Sequence, residues 1–379
     1  MSLLFYDDSP VFGGHEIMSL AGMEAVLAAC SEPVRFIASG ANAKLCGKLE
    51  DIAKSHPHLK LEKVPWCSSK FEALRNRLNP GRVRQLAARI REIAPSLVVA
   101  IQGNIEHSSL ALHAARLAGI PSTSYIPVPH TNAEMGARLG KLRDLFSAGL
   151  VGLPDSFVTI TDEMARLLKI RGARAPIHIV YNGVDTARFQ PGESSTACRT
   201  LSLPEHKVRI GVIGRIEFRQ KQQHLLVLAV ASNPALKESC HLVFAGDGPD
   251  SGELRDVIQR HGISGTVLPW CDPALLYQAL DALVIPSRYE GLPLVMLEAL
   301  ASETAVLASD KDGMRDLLPS EWRFDPDEPA ALSKTISRFI GNGKPAPAPS
   351  LVARVRETMS MESFKHSFSS TILNLARTA

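Results

Sequence analysis

A chain of 379 residues with a formal charge of +3 is long for one hydrophobic core and comfortable for two. Its hydrophobic share of 45% and charged share of 21% are those of an ordinary globular protein, which excludes disordered and fibrous classes. So slight a positive charge gives no argument for nucleic acid as a partner.

Six cysteines are scattered (Cys30, Cys46, Cys67, Cys198, Cys240, Cys271), with no CxxC pair and no short spacing to histidine. They read as reduced thiols, not as a disulfide framework or a zinc site. The opening MSLLFYDD reaches acid after a very short apolar run and lacks the basic flank of a signal peptide. No apolar run approaches membrane-spanning length, so the expected location is the cytosol.

Residues 3–6 form a short apolar strand, and SPVFGGHE (residues 9–16) turns into an apolar-periodic helix over 17–29. Gly13 and Gly14 would let backbone amides approach a phosphate or a sugar, or serve as a tight turn. Strand-like runs recur at 34–38, 59–64, 97–102, 122–126 and 157–161, with helical patterns between them. This alternation predicts α/β architecture with a doubly wound parallel sheet. Between the third and fourth strands lie Lys70, Arg75, Arg77, Arg82, Arg84, Arg89 and Arg91, interleaved with Phe71, Leu74 and Leu78 at helical spacing. That pattern fits a helix that docks on anionic lipid, and a solvated helix face is the plainer alternative. After the fifth strand, YIPVPH uses two prolines to leave His130 at the carboxyl edge of the sheet, where ligands of open α/β sheets bind. A loop histidine that caps the next helix would look the same. Asn182-Gly183 is a turn and Asp185 a cap, and a Pro/Gly/Ser-rich linker follows.

The second half begins again with a strand at 208–213, then Gly214-Arg215 and, six residues on, Lys221. A planar guanidinium fork and a point charge suit one diphosphate. HLVFAGDGP (241–249) is a strand ending in a glycine turn, and the strand at 266–268 ends in Pro269-Trp270-Cys271. The stretch 281–302, DALVIPSRYEGLPLVMLEALAS, organises this half. An apolar strand (282–286) leads through a polar turn (287–291) to Pro293, placed where a first helical turn accepts proline. The helix beyond is apolar nearly all round except for Glu298. A strand, a glycine turn and a helix start make an anion site, because unpaired N–H groups point outward there. Glu290 in the turn and Glu298 in the helix could face one ligand. A carboxylate in so apolar a helix needs donors, and a ribose diol supplies two. The alternative is an ordinary loop and core helix with one solvated glutamate. Asp310 and Asp312 form an Asp-x-Asp after a late strand and read as a turn, and 361–378 is an amphipathic terminal helix.

In order and spacing, Glu290 and Glu298 resemble the Glu-x7-Glu signature of retaining GT-B glycosyltransferases, specifically glycosyltransferase family 4 (glycosyl transferases group 1). Gly214-Arg215-x5-Lys221 is similar to that family's diphosphate clamp, and Gly13-Gly14-x-Glu16 to its glycine-rich first loop. VYNGVDTARF resembles the element before its interdomain linker. The resemblance implies two Rossmann-like domains: an acceptor-side domain over 1–190 completed by helix 361–379, a linker at 191–205, and a donor domain at 206–360. It implies transfer of a sugar from a nucleoside-diphosphate sugar to an acceptor hydroxyl with retained configuration. Arg215, Lys221 and the amides of Gly291 and Leu292, ahead of Pro293, would meet the diphosphate. Glu298 would hold the ribose and Glu290 the donor sugar. Gly13, Gly14 and His130 would lie near donor or sugar, and Trp270 beside the base, unless it is merely a half-buried side chain. No cofactor and no metal are implied. The acceptor would be a carbohydrate or a lipid-linked one, with polysaccharide or glycolipid as product and docking on the inner face of the plasma membrane through 70–91. Departures are Gln222 where a glycine usually follows the lysine, Trp270 where relatives carry glycine, and Ser302-Glu303-Thr304 in place of Gly-x-Pro. A sugar-nucleotide epimerase of the same fold and a non-catalytic nucleotide-sugar binder remain as alternatives.

Overall fold

The computed structural model describes residues 2–328 and 330–378. The chain divides into two compact units, Met1–Asn182 with Glu362–Ala379, and Gly183–Met361. In unit 1, seven parallel strands run in the order β3-β2-β1-β4-β5-β6-β7. They are β1 (Leu3–Asp7), β2 (Val34–Ser39), β3 (Leu59–Val64), β4 (Leu97–Ile101), β5 (Ser122–Tyr125), β6 (Ser156–Thr159) and β7 (Ile177–Ile179). β1 and β4 are buried along their whole length, as parallel strands covered on both faces must be. Strand order reverses between β1 and β4, so the loops after these two strands diverge and leave a crevice at their carboxyl ends.

Unit 2 repeats the plan with six parallel strands in the order β10-β9-β8-β11-β12-β13. These are β8 (Val208–Ile213), β9 (Cys240–Ala245), β10 (Gly265–Leu268), β11 (Ala282–Ile285), β12 (Ala305–Ser309) and β13 (Arg323–Phe324). Here the reversal lies between β8 and β11. The first strand of the half therefore carries Gly214-Arg215 at its end, and the neighbouring strand carries the turn with Glu290.

Two expectations need correction. The boundary falls at Asn182/Gly183, eight residues before the expected end at 190, and 191–205 is no free linker. Val184 is tied into unit 2 by its amide on Met359 O at 2.9 Å and its carbonyl on Met361 N at 2.8 Å. Phe189 packs edge-on against Tyr277, and helix Ser194–Thr200 packs on helix Pro273–Ala279. Nor is the basic segment one helix. It breaks into Glu72–Leu78 and Pro80–Ile93, because proline at 80 starts a new helix at its first turn. Arg75 and Arg82 both turn onto Glu72, which is wholly buried, and Arg89 grips Glu62.

The terminal helix Met361–Thr378 returns to unit 1, where Phe364 and Phe368 are buried. The Phe368 ring meets Tyr125 edge-on at 5.4 Å. A Cβ on Gly22 would stand 2.5 Å from that ring, so helix Gly14–Ala29 can take only glycine at this contact. Phe368→Ala should lower the unit 1 unfolding transition by about 3–5 kcal/mol in a denaturant titration, the scale for emptying a buried phenylalanine site. A change below about 1 kcal/mol would mean that the helix is not docked there.

Candidate functional site

The loop after β8 is shaped by a second loop beneath it. Gly214 and Gly246 have φ of +129° and +138°, which side chains disfavour. A Cβ on Gly246 would sit 2.2 Å from Gly214 O, and one on Gly248 2.1 Å from Ile216 O. Only glycine lets the Gly246-Asp247-Gly248 turn press against the backbone of 214–216. The amides of Gly214 and Ile216 donate to Ala245 O and Asp247 O at 2.9 Å, and Phe218 N donates to Asp250 at 2.5 Å. The loop that presents Arg215 is thus fixed by main-chain bonds.

Across the strand reversal, this loop is zipped to the turn after β11. Lys221 Nζ meets Glu290 Oε1 at 2.5 Å. Arg288 N donates to Gln220 O at 2.8 Å, and Gln220 Nε2 donates to Tyr289 O at 3.3 Å. Glu290 N in turn donates to Asp312 Oδ2 at 2.8 Å, and Gly313 N to Gly291 O at 3.1 Å. Arg215 leans on Glu217 at 2.5 Å, with its side chain 56% exposed. The Asp-x-Asp pair is split: Asp312 holds the Glu290 turn, while Asp310 takes Arg315 and Arg323.

Gly291, Leu292 and Pro293 are buried at the start of helix Leu294–Ala301. Pro293 is its N-cap and not its first helical residue, with ψ of 125°. Half-buried Glu298 accepts a hydrogen bond from the Tyr277 hydroxyl at 2.7 Å. Burial raises the Glu298 carboxyl above the ordinary carboxylate range, and the Tyr277 hydroxyl and Arg188 offset this only in part. Glu290 and Glu298 therefore answer to different partners, Lys221 and Tyr277. Trp270 is 69% exposed after β10, not half-buried.

In unit 1, Gly13 is the N-cap of helix Gly14–Ala29, and its amide donates to Glu16 Oε2 at 2.6 Å. That amide is therefore taken up by the Glu16 half of a capping box, since glycine has no side chain to complete it. Around Gly14 there is open space. Glu16 is fully buried beside His15 (2.9 Å) and near Asp7, the last residue of β1. Burial moves the Asp7 carboxyl up to about 7, since His15 offsets it only in part and Glu16 adds to it. Burial in the same crevice takes His107 down to about 4. His130 is 5% exposed, and Arg171 donates to the carbonyls of Pro129 and His130. It is thus a buried part of a clamped loop, not a cap for the following helix, whose N-cap is Leu139.

Glu217, Gln220 and Tyr277 were not singled out from the sequence, and Asp312 was read only as part of a turn. Glu217 and Gln220 lie inside the Gly-Arg-x5-Lys stretch. Tyr277 had no signal beyond being an aromatic in an apolar helix.

Gln222, the residue that departs from the glycine pattern, sits at φ +50° as N-cap of helix Gln223–Ala231. Its side chain is buried, and its Oε1 has no hydrogen-bond partner. The left-handed backbone explains why glycine suits this place, at a cost to glutamine of roughly 1–2 kcal/mol. Gln222→Gly should hold or raise the unit 2 melting point, whereas Gln222→Val should cost about 1–2 kcal/mol more than glycine. Equal stability of the two would rule out the left-handed turn.

Two family models match the chain: Glycosyltransferase Family 4 over residues 52–188 and Glycosyl transferases group 1 over residues 197–354. Bacillus subtilis EpsF is 28% identical over 285 residues, spanning 69% of this chain and 71% of EpsF. The D-inositol 3-phosphate glycosyltransferase of Thermobifida fusca is 34% identical over 216 residues, 50% of this chain and 48% of that protein. This chain thus aligns with only about half the length of that relative. Anabaena HepE, solved in complex with UDP-glucose, superposes with a TM-score of 0.77 at 18% identity, covering 99% of this chain and 100% of HepE. Sucrose-phosphate synthase from Thermosynechococcus elongatus gives a TM-score of 0.77 at 18% identity, with both chains covered fully. The fold is GT-B, and two glycosyltransferase family models in succession along one such chain support a glycosyltransferase of that fold.

Proposed function

We propose that this protein transfers a sugar from a nucleoside-diphosphate sugar to an acceptor hydroxyl with retention of anomeric configuration, as a family 4 glycosyltransferase. The observation that carries this reading is the convergence of Arg215, Lys221 and the start of helix Leu294–Ala301 at the strand reversal of unit 2. Negative charge develops on the diphosphate as the glycosidic bond breaks. Two cations and a helix N-terminus held on a rigid scaffold stabilise that charge without reorganising. Glu217 and Glu290 hold the cations in place until the diphosphate takes over their contacts. Glu298, oriented by Tyr277, would receive the ribose hydroxyls, and Glu290 the donor sugar. Trp270 is exposed enough to stack on a base. Gly13, Gly14 and His130 are assigned to the sugar or the acceptor. HepE binds UDP and UDP-glucose, which supports a nucleotide donor of this class. Neither the epimerase nor the binding-protein alternative is favoured by the relatives, and a product assay with and without acceptor separates them.

Because two cations already neutralise the diphosphate, no metal is assigned to the donor. Isothermal titration with nucleoside diphosphates should give the same affinity with and without a chelator. Arg215→Ala is the cleaner clamp probe, since Lys221→Ala would leave buried Glu290 without its cation. Each should lower turnover by roughly 10²–10³, the scale for losing one donor to developing charge. Glu298→Ala should weaken nucleotide affinity more than it slows the bound complex. Near-normal rates in both clamp variants would move the diphosphate elsewhere.

A polysaccharide or glycolipid acceptor on a membrane carrier is the proposed acceptor class, with the protein working at the inner face of the membrane. Support comes from exposed Lys70, Arg77, Leu78 and Arg84, beside helix Gly140–Ser147 with exposed Lys141, Leu142 and Leu145. Arg75 and Arg82 are no longer counted, because Glu72 takes them. Each cation near an anionic surface contributes about 1 kcal/mol, enough for reversible docking. Wild type should co-sediment with anionic but not neutral vesicles and be released at high salt. Changing Lys70, Arg77, Arg84 and Lys141 to glutamine should abolish this, and undiminished sedimentation would leave a soluble acceptor as the better reading.

A further inference from the structure

The crevice at the β1/β4 reversal of unit 1 holds a side-chain cluster that the donor reading does not use. Asp7 ends β1, and His15 and Glu16 lie in the first turn of helix Gly14–Ala29. Asp7 and Glu16 are both 0% exposed. Each carboxylate has one oxygen engaged by the backbone: Ser9 N donates to Asp7 Oδ1 at 2.8 Å, and Gly13 N to Glu16 Oε2 at 2.6 Å. Of the remaining atoms, Asp7 Oδ2 is buried without a hydrogen-bond partner, while Glu16 Oε1 and His15 Nε2 face each other. The three residues' ligand atoms all lie within 4.8 Å of one another, with His15 Nε2 and Glu16 Oε1 an ion pair at 2.9 Å.

The charge balance of this pocket is incomplete. Asp8 is taken up by Tyr6, Ser68 and Ser108, so one imidazole stands against the two carboxylates of Asp7 and Glu16. Two fully buried carboxylates, one of them with an oxygen that nothing meets, are costly beside a single imidazole unless a cation meets both. The ring of His15 is held flat beneath the β4 loop, where a Cβ on Gly103 would fall 2.6 Å from His15 Cε1. The engaged carboxylate oxygens are fixed by main-chain amides, as outer contacts fix metal ligands.

We propose that Asp7 Oδ2, His15 Nε2 and Glu16 Oε1 together bind one divalent transition-metal ion. One nitrogen and two carboxylate oxygens suit zinc or manganese, whereas calcium and magnesium favour all-oxygen sets. Bonds of about 2.0–2.2 Å set tetrahedral ligand atoms roughly 3.3 Å apart, so the His15–Glu16 pair at 2.9 Å opens slightly and Asp7 closes in to admit the ion. The side chain of His15 is 19% exposed, which leaves an open side where water or a ligand hydroxyl completes the coordination. All three ligands belong to unit 1, so this site stands or falls independently of Arg215 and Lys221 in unit 2.

The full-length protein, stripped with chelator and dialysed against zinc, manganese, magnesium or calcium, tests this by elemental analysis and thermal unfolding. Wild type should retain one zinc or manganese ion per chain and melt higher with it, and magnesium and calcium should do neither. His15→Ala, at the partly exposed ligand, should fold and bind the ion on the order of 100-fold more weakly. Asp7→Asn should do likewise, while His107→Ala, outside the donor set, should keep the ion. No retained metal and no thermal shift in wild type, or equal binding by His15→Ala, would overturn the site. Such a result would leave a protonated His15 as the pocket's cation, and nucleoside-diphosphate binding in unit 2 would be unaffected by it.

Discussion

Lys221 and Glu290, 69 positions apart in sequence, meet because β8 and β11 are sheet neighbours. That adjacency is a consequence of topology. Right-handed crossovers carry the chain from β8 outward to β10, and the next strand must then join the free side of β8. Two loops leaving opposite faces of the sheet open a crevice, and a largely buried ion pair, one main-chain bond and one bond from the Gln220 side chain hold them at a fixed width. Removing either charge would leave the other poorly solvated, so the pair locks the crevice more by the cost of breaking it than by its net gain.

Backbone shape does the rest of the positioning. Gly214, Gly246 and Gly248 permit two loops to touch main chain to main chain, and Gln222 and Asp312 adopt left-handed conformations at the edges of the same crevice. Strained residues gathered around one site are retained when the surroundings over-determine them, and here the surroundings are hydrogen-bonded backbone. Arg215 gains its aim from this frame, because its own side chain is mostly exposed and held through Glu217.

Most strands were legible in the sequence, since apolar runs between glycine turns mark parallel strands, and the meeting of Lys221 with the Glu290 turn follows from the order of those strands. β7 and β13 were missed: one is three residues long and half exposed, the other only two residues. The unit boundary was misplaced because 182–190 looks like a turn, while its anchoring to Met359 and Met361 joins residues far apart in sequence. The basic segment misled for a related reason. Arginine spacing says nothing of Glu72, a single buried acid that gathers two of those arginines inward. Tyr277 was invisible for the same cause, since a hydroxyl aimed at Glu298 is a fact of packing between helices.

The two crevices differ in the sign of what they lack. In unit 2 each cation is matched by a carboxylate: Arg215 and Arg219 share Glu217, and Lys221 has Glu290. Such a site is poised to exchange a carboxylate for a more highly charged anion, because the incoming group restores every contact it breaks. In unit 1 two buried carboxylates face one imidazole, and the orphaned Asp7 Oδ2 is an acceptor. A pocket of that kind favours a cation or a hydrogen-bond donor and disfavours phosphate. Since both crevices arise from the same strand reversal, the fold fixes where ligands go, and the few charged residues at each reversal decide which sign of ligand is admitted.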